Sequence, residues 1–192
     1  TETFANEIQK KKLELVAGDI RAFNPSKLKT SYKLVANIPY YITGEIIRTF
    51  LTAKKKPASM TLLVQKEVAE RIARSKKESL LSISVKIFGT PKYEFTVPRG
   101  AFVPAPNVDS AVLSISAIRS PFRSQKAESV FFDLVRAGFA QKRKLAAKNL
   151  RIVAKKEHVD EAFAALGIPL NARAEDISLA AWQSLSEALP RT

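Results

Sequence analysis

An α/β domain built on a parallel sheet, followed by a small all-helical domain, is the fold class this sequence predicts. Three observations predict it. Short apolar runs alternate with amphipathic stretches through the first 118 residues, which is the pattern of strands covered by helices. Beyond Ser120 the apolar residues recur at helical spacing. The chain has 192 residues, 46% of them hydrophobic, enough to bury a core of its own.

The elements follow in order. Residues 13–17, 34–36 and 60–64 are apolar runs bounded by polar or turn-forming residues, and read as buried strands. Between them, residues 42–51 and 68–73 have amphipathic helical spacing. Residues 80–88 are apolar at too many positions for periodicity to choose between helix and strand. From Pro91 to Pro106, prolines and lone aromatics are expected to interrupt regular structure, and residues 111–118 form the last strand. Ser120, Pro121, Phe122 and Arg123 mark a junction. Helices are expected at 130–139, 145–153, 159–166 and 177–189. Gly167 and Pro169 stop the third of these, and Asp176 is a candidate N-cap for the last. The domains divide as 1–118 and 119–192.

Charge narrows the partner. Thirty-two Lys and Arg against 18 Asp and Glu leave a net charge of +14, which attracts polyanions, nucleic acid first. The excess concentrates between Arg119 and Lys156, where 11 residues are basic and two acidic. Its densest point is Lys142, Arg143 and Lys144, with Lys148 one turn on. This cluster suits phosphate contacts, and a solvated helix face is the alternative. Residues 54–56, a second basic run, read as a plain loop. With no cysteine, disulfides, Cys-ligated zinc and cysteine nucleophiles are excluded. The sole histidine, His158, is expected on the surface, and no metal site is expected. No apolar run reaches the roughly 18 residues that span a bilayer, so a cytoplasmic, membrane-free protein is expected.

Asn37, Ile38, Pro39, Tyr40 and Tyr41 directly follow a strand, and in open α/β sheets ligands bind at the carboxyl ends of strands. An amide oxygen, a backbone carbonyl fixed by proline and a stacking ring suit the recognition of a planar nucleobase amine. A turn built by Asn37 and Pro39, with packing tyrosines, is the alternative.

Residues 37–40, 64–69, 102–110, 138–144 and 173–178 together resemble, in order, the ribosomal RNA adenine dimethyltransferases of the KsgA type, over nearly the whole chain. The resemblance implies a Rossmann-like domain using S-adenosylmethionine and a helical domain gripping RNA. It further implies dimethylation of two adjacent adenosines near the 3′ end of small-subunit rRNA, on the pre-mature small ribosomal subunit, by a monomer. Asp19 then binds the cofactor's adenine, and Asn37 lies against the cofactor. Asn37 and the Pro39 carbonyl orient the target amine, while Tyr40 and Phe102 stack on the target base. Lys142, Arg143, Lys144 and Lys148 are read as the RNA-binding residues.

The chain departs from the family in several places. It begins at Thr1, its only methionine is Met60, and its six glycines include no G-x-G. The glycine-rich loop and the ribose-holding acidic residue of the family are not present. Residues 1–8 resemble the helix after the second strand. A fragment is therefore expected, lacking about a quarter to a third of a typical member with two central strands, and binding cofactor weakly or not at all. Glu78 and Ser79 replace a usual Tyr and Gly. A noncatalytic RNA-binding assembly factor and a large-subunit methyltransferase of the macrolide-resistance type are the alternatives.

Overall fold

The structure, a computed structural model, describes residues 2–28 and 31–189. After a short helix α1 (Ala5–Gln9), four strands form one sheet: β1 (Lys33–Asn37), β2 (Ser59–Gln65), β3 (Thr90–Val97) and β4 (Ser110–Ser116), in the order β1-β2-β4-β3. Helix α2 (Thr43–Thr52) carries the chain from β1 back to a parallel β2. Helices α3 (Lys66–Ala73) and α4 (Leu80–Lys86) follow β2. The sheet is mixed rather than parallel throughout, because β4 runs antiparallel to both neighbours. The β3–β4 connection carries no α-helix, and antiparallel neighbours need no helical crossover.

Residues 13–17 are corrected from strand to unpaired, irregular chain. An apolar run becomes a strand only by sharing a ladder, and among the described residues β1 pairs with β2 alone. Leu15, Val16 and Val35 consequently stay 62–77% exposed.

Residues 80–88 resolve as helix α4 because Ser79 caps it: its hydroxyl accepts from the Ser82 N–H, and the Ser82 hydroxyl accepts from the Ser79 N–H. Glu78 adds a 2.7 Å bond to Lys86 and another to the Ser82 hydroxyl. The departure at Glu78 and Ser79 thus builds a helix start. The stretch beginning at Pro91 is also corrected. Its first part is strand β3, at the sheet edge, where a missing proline N–H is tolerated, and its register slips between Tyr93 and Phe95.

The core joins strands and helices. Met60, Leu62 and Val64 on β2 and Leu113 and Ile115 on β4 alternate inward and share one core cluster with Ile46, Ile47, Phe50 and Leu51 of α2. The same cluster continues into α5 (Gln125–Phe139), α6 (Ala146–Leu150), α7 (Lys156–Ala165) and α8 (Leu179–Ala188). Phe88, Phe122, Phe131 and Phe132 meet at the junction with ring centroids 5.2–6.2 Å apart. Helix α7 ends as expected: Gly167 takes φ +64°, and the Gly167 and Ile168 N–H groups close onto Ala164 and Phe163. The cap of α8 is corrected to Ser178, whose hydroxyl accepts from Ala181. Asp176 instead accepts from the Arg173 N–H within its own turn. Among the described residues no helix is long and apolar enough to cross a membrane.

Candidate active site and nucleic-acid interface

Strand directions bring the sequence motifs to one rim. Asn37 ends β1, Gln65 ends β2, Val97 ends β3 and Ser110 opens β4. Gln65 and Val97 both pair with Ser110, so the segments that follow 37, precede 66 and connect 97 to 110 share the carboxyl edge of the parallel pair.

Asn37 is exposed there, and its side-chain amide makes no hydrogen bond among the described residues. The next N–H, of Ile38, still donates to the Leu63 carbonyl at 3.3 Å, and the buried Ile38 side chain anchors the turn. Pro39 holds φ −56° and ψ 131°. Its carbonyl accepts from the Ile42 N–H at 3.1 Å, which leaves one lone pair for a second donor. Tyr40 is half-buried, its hydroxyl 2.8 Å from that of Ser110. Phe102 is half-buried at the end of the 99–101 turn. The Phe102 loop is braced by Asp109, whose carboxylate accepts from the Arg99 N–H and whose carbonyl accepts from the Lys66 N–H, each at 3.0 Å. Among the described residues neither Tyr40 nor Phe102 stacks on another ring. Two aromatic side chains are thus left open at the same rim as an unpartnered amide.

Asp19 lies on the neighbouring 19–23 segment, held against α2 by Phe23 stacked on Phe50 at 6.3 Å. Its carboxylate accepts from the Arg21 backbone N–H and from the Arg21 guanidinium. The Arg21 hydrogen bond lowers its pKa to about 2. A folded value below the free one means that the ion pair is intact above about pH 4 and is lost as pH falls through about 2. Arg21→Ala is expected to raise the Asp19 carboxyl toward its ordinary range but not all the way, because the backbone N–H of residue 21 still donates to it, read by NMR titration of that carboxyl carbon.

Half of the Asp19 side-chain surface remains open, so an ionised acceptor and the Asn37 amide are both accessible. An accessible carboxylate and an accessible amide are groups that can accept from an exocyclic amine.

The basic cluster is a loop held by a buried polar residue. Asn149 of α6 donates through its amide to the Gly138 carbonyl at 2.6 Å and the Gln141 carbonyl at 3.2 Å. This clamps the loop that carries Lys142, Arg143 and Lys144, which are exposed, as is Lys148. Lys142 shares a cleft of about 580 Å³ with Val68 and Arg71 of α3. Helix α3 starts at the rim, and its eight residues span about 12 Å. The basic loop thus borders α3, whereas Asn37 and Tyr40 follow β1 at the rim.

The 173–178 run has a packing role: Lys77 pairs with Glu175 at 2.6 Å, and the Glu175 carbonyl accepts from the Glu78 N–H at 2.8 Å. His158 is half-buried on α7, an element that carries none of the rim residues. Sequence reasoning missed Ser110, Asp109 and Asn149 as supports. Only the first two lay in a run already singled out, and Asn149, between Lys148 and Leu150, had no local signal.

Comparison with known proteins agrees with the motif order. Residues 2–190 match the family described as Ribosomal RNA adenine dimethylase. A protein of Dehalococcoides mccartyi named Ribosomal RNA small subunit methyltransferase A is 39% identical over 177 residues, covering 89% of this chain and 61% of that protein. Its namesake in Geobacillus thermodenitrificans is 40% identical over 164 residues, covering 81% and 56%. The chain thus spans about three fifths of the length of the curated relatives it matches. The 23S rRNA methyltransferase ErmE superposes with a TM-score of 0.75 at 22% identity, covering 98% of this chain and 76% of that one. A dimethyladenosine transferase from Plasmodium falciparum superposes at 0.73 with 20% identity, covering 98% and 81%. These two share the Rossmann-like methyltransferase fold.

Proposed function

Because the chain belongs to the ribosomal RNA adenine dimethylase family, we propose that the whole protein dimethylates the exocyclic amines of two adjacent adenosines near the 3′ end of small-subunit rRNA. The convergence of Asn37, Pro39, Tyr40 and the Phe102 loop on one sheet rim carries this reading. S-adenosylmethionine, when bound, supplies a methyl group already activated on a sulfonium. Asp19 and Asn37 hold its adenine side. Residues 1–118 serve as the methyltransferase part and 119–192 as the RNA-gripping part, working as a monomer on the pre-mature small subunit in the cytoplasm.

The protein's task is positioning. An adenine amine is a poor nucleophile because its lone pair is delocalised into the ring. The Asn37 side-chain oxygen and the free lone pair of the Pro39 carbonyl accept from its two protons, which favours a pyramidal, more reactive nitrogen. No strong base is needed. Stacking on Tyr40 and Phe102 offsets the few kcal/mol spent in extracting the base from its helix.

The test is transfer of labelled methyl to unmethylated small ribosomal subunits by the whole protein, with large subunits as the control. Label in the small subunit alone is expected. Label in large subunits instead would reassign the substrate, and label in neither would remove the enzymatic reading. Replacing Lys142, Arg143 and Lys144 together by Ala is expected to weaken RNA binding and reduce its salt slope by about three at most. An unchanged slope would show that the cluster does not touch phosphate.

A further inference from the structure

The rim holds one hydrogen bond that the recognition of an adenine amine does not itself require. Tyr40 sits three residues beyond the end of β1, on a single 3₁₀ turn, where side-chain direction is weakly determined by the backbone. Ser110 is the opposite kind of position. It opens β4, which is flanked by ladders on both sides and pairs with Gln65 and Val97 at once. Its residue surface is 0% exposed. The two hydroxyls are 2.8 Å apart although 70 residues separate them in sequence.

The strand order makes this contact a crossing. With β2 lying between β1 and β4, the bond joins the turn that follows β1 to the first residue of the strand two places away in the sheet. Tyr40 thereby ties the turn after β1 to the start of β4. Its hydroxyl lies on the ring's long axis, so a bond at that atom fixes where the axis points and leaves the ring faces free.

We propose that Ser110 is a positioning residue of the target-base site, its buried hydroxyl pinning the Tyr40 ring axis across the sheet rim so that one ring face is presented to the extruded adenine. This rests on the reading of Tyr40 as the base's stacking platform. It also gives the Tyr40 hydroxyl a structural partner, so that this hydroxyl serves the ring's placement and not the methyl transfer itself. The serine completes the 102–110 run: Phe102 and Tyr40 approach the base from different segments, and the last residue of one segment holds the aromatic of the other.

The experiment is a double-mutant cycle in the whole protein. Methyl transfer is measured together with the fluorescence of 2-aminopurine placed at the target position of an RNA hairpin that carries the small-subunit 3′-end sequence. Ser110→Ala and Tyr40→Phe are each expected to lower kcat by about 5- to 10-fold, the scale of one lost hydrogen bond, with KM for RNA within twofold. Both are expected to weaken the quenching of the bound 2-aminopurine. The double variant is expected to match either single one, because both remove the same bond. The denaturation midpoint separates placement from folding: the kcat loss is expected to persist at temperatures where every variant is fully folded.

Wild-type kcat and quenching in Ser110→Ala would overturn the proposal, as would strictly multiplicative losses in the double variant. Tyr40→Ala distinguishes the two levels. If it abolishes quenching while Ser110→Ala does not weaken it, the pinning role is wrong and the stacking role stands. If Tyr40→Ala also behaves as wild type, the stacking role fails and the pinning role fails with it.

Discussion

Asn37→Ala in the whole protein is expected to lower methyl transfer to small ribosomal subunits by about 10²- to 10³-fold, the scale of removing one preorganised hydrogen-bond partner from a reacting group. Asn37 ends β1, and its amide is exposed without a hydrogen-bond partner among the described residues. Truncation therefore breaks no bond that supports the fold. The neighbouring Ile38 N–H to Leu63 bond and the buried Ile38 side chain continue to hold the turn. The Pro39 carbonyl alone would then accept from one amine proton, leaving the nitrogen free to remain planar and unreactive. RNA affinity is expected to stay within about twofold, because the cluster proposed to bind phosphate, Lys142–Lys144, is carried by the loop between α5 and α6 and not by the segment of Asn37. Filter binding and methyl-transfer assays on the same preparation separate the two quantities. Undiminished transfer by Asn37→Ala would remove the rim from the active site.

Trp182→Ala is expected to cost about 3–5 kcal/mol of stability, the range for emptying a large aromatic site. Trp182 on α8 is fully buried, and its ring lies so close to α5 that a Cβ on Gly138 would come within 2.2 Å of its Cη2 atom. Only a glycine lets the two helices approach to that distance. Phe139 covers the ring with centroids 5.8 Å apart. The same Gly138 gives its carbonyl to the Asn149 clamp of the basic loop. The loss is therefore expected to reach function: RNA binding should weaken in Trp182→Ala at temperatures where the sheet remains folded. Trp182→Phe, which refills most of the volume, should recover much of the stability. Denaturant unfolding gives the first quantity and RNA titration the second. A Trp182→Ala variant of wild-type stability would contradict the packing described for α5 and α8.

The motifs were legible in the sequence because each is contiguous. A β-strand ending in Asn and followed by Pro and Tyr, a proline-bounded aromatic loop and a lysine-rich stretch after a helix can each be read within about ten residues. The strands at 33–37, 59–65 and 110–116 were legible for the same reason, as runs of apolar side chains. Residues 80–88 were not, because apolar positions on nearly every residue satisfy both periods, and the deciding feature was the polar cap at Ser79. Residues 13–17 misled in the other direction, since apolar composition describes a strand's preference and pairing makes the strand. Strand β3 was concealed by Pro91, which the sheet tolerates only because that strand lies at its edge.

The sequence by itself determined the family, the alternation of strands and helices and the basic character of the helical half, and it proposed the residues of the candidate site, because local composition and short ordered motifs carry that information. Only the tertiary structure decided that β4 runs antiparallel between β2 and β3, that Ser110 holds Tyr40, that Asn149 clamps the basic loop and that Gly138 admits Trp182. Each of these is a contact between residues 8 to 70 positions apart. Such contacts depend on which surfaces the chain can bury together, a property of the assembled core that no local window contains.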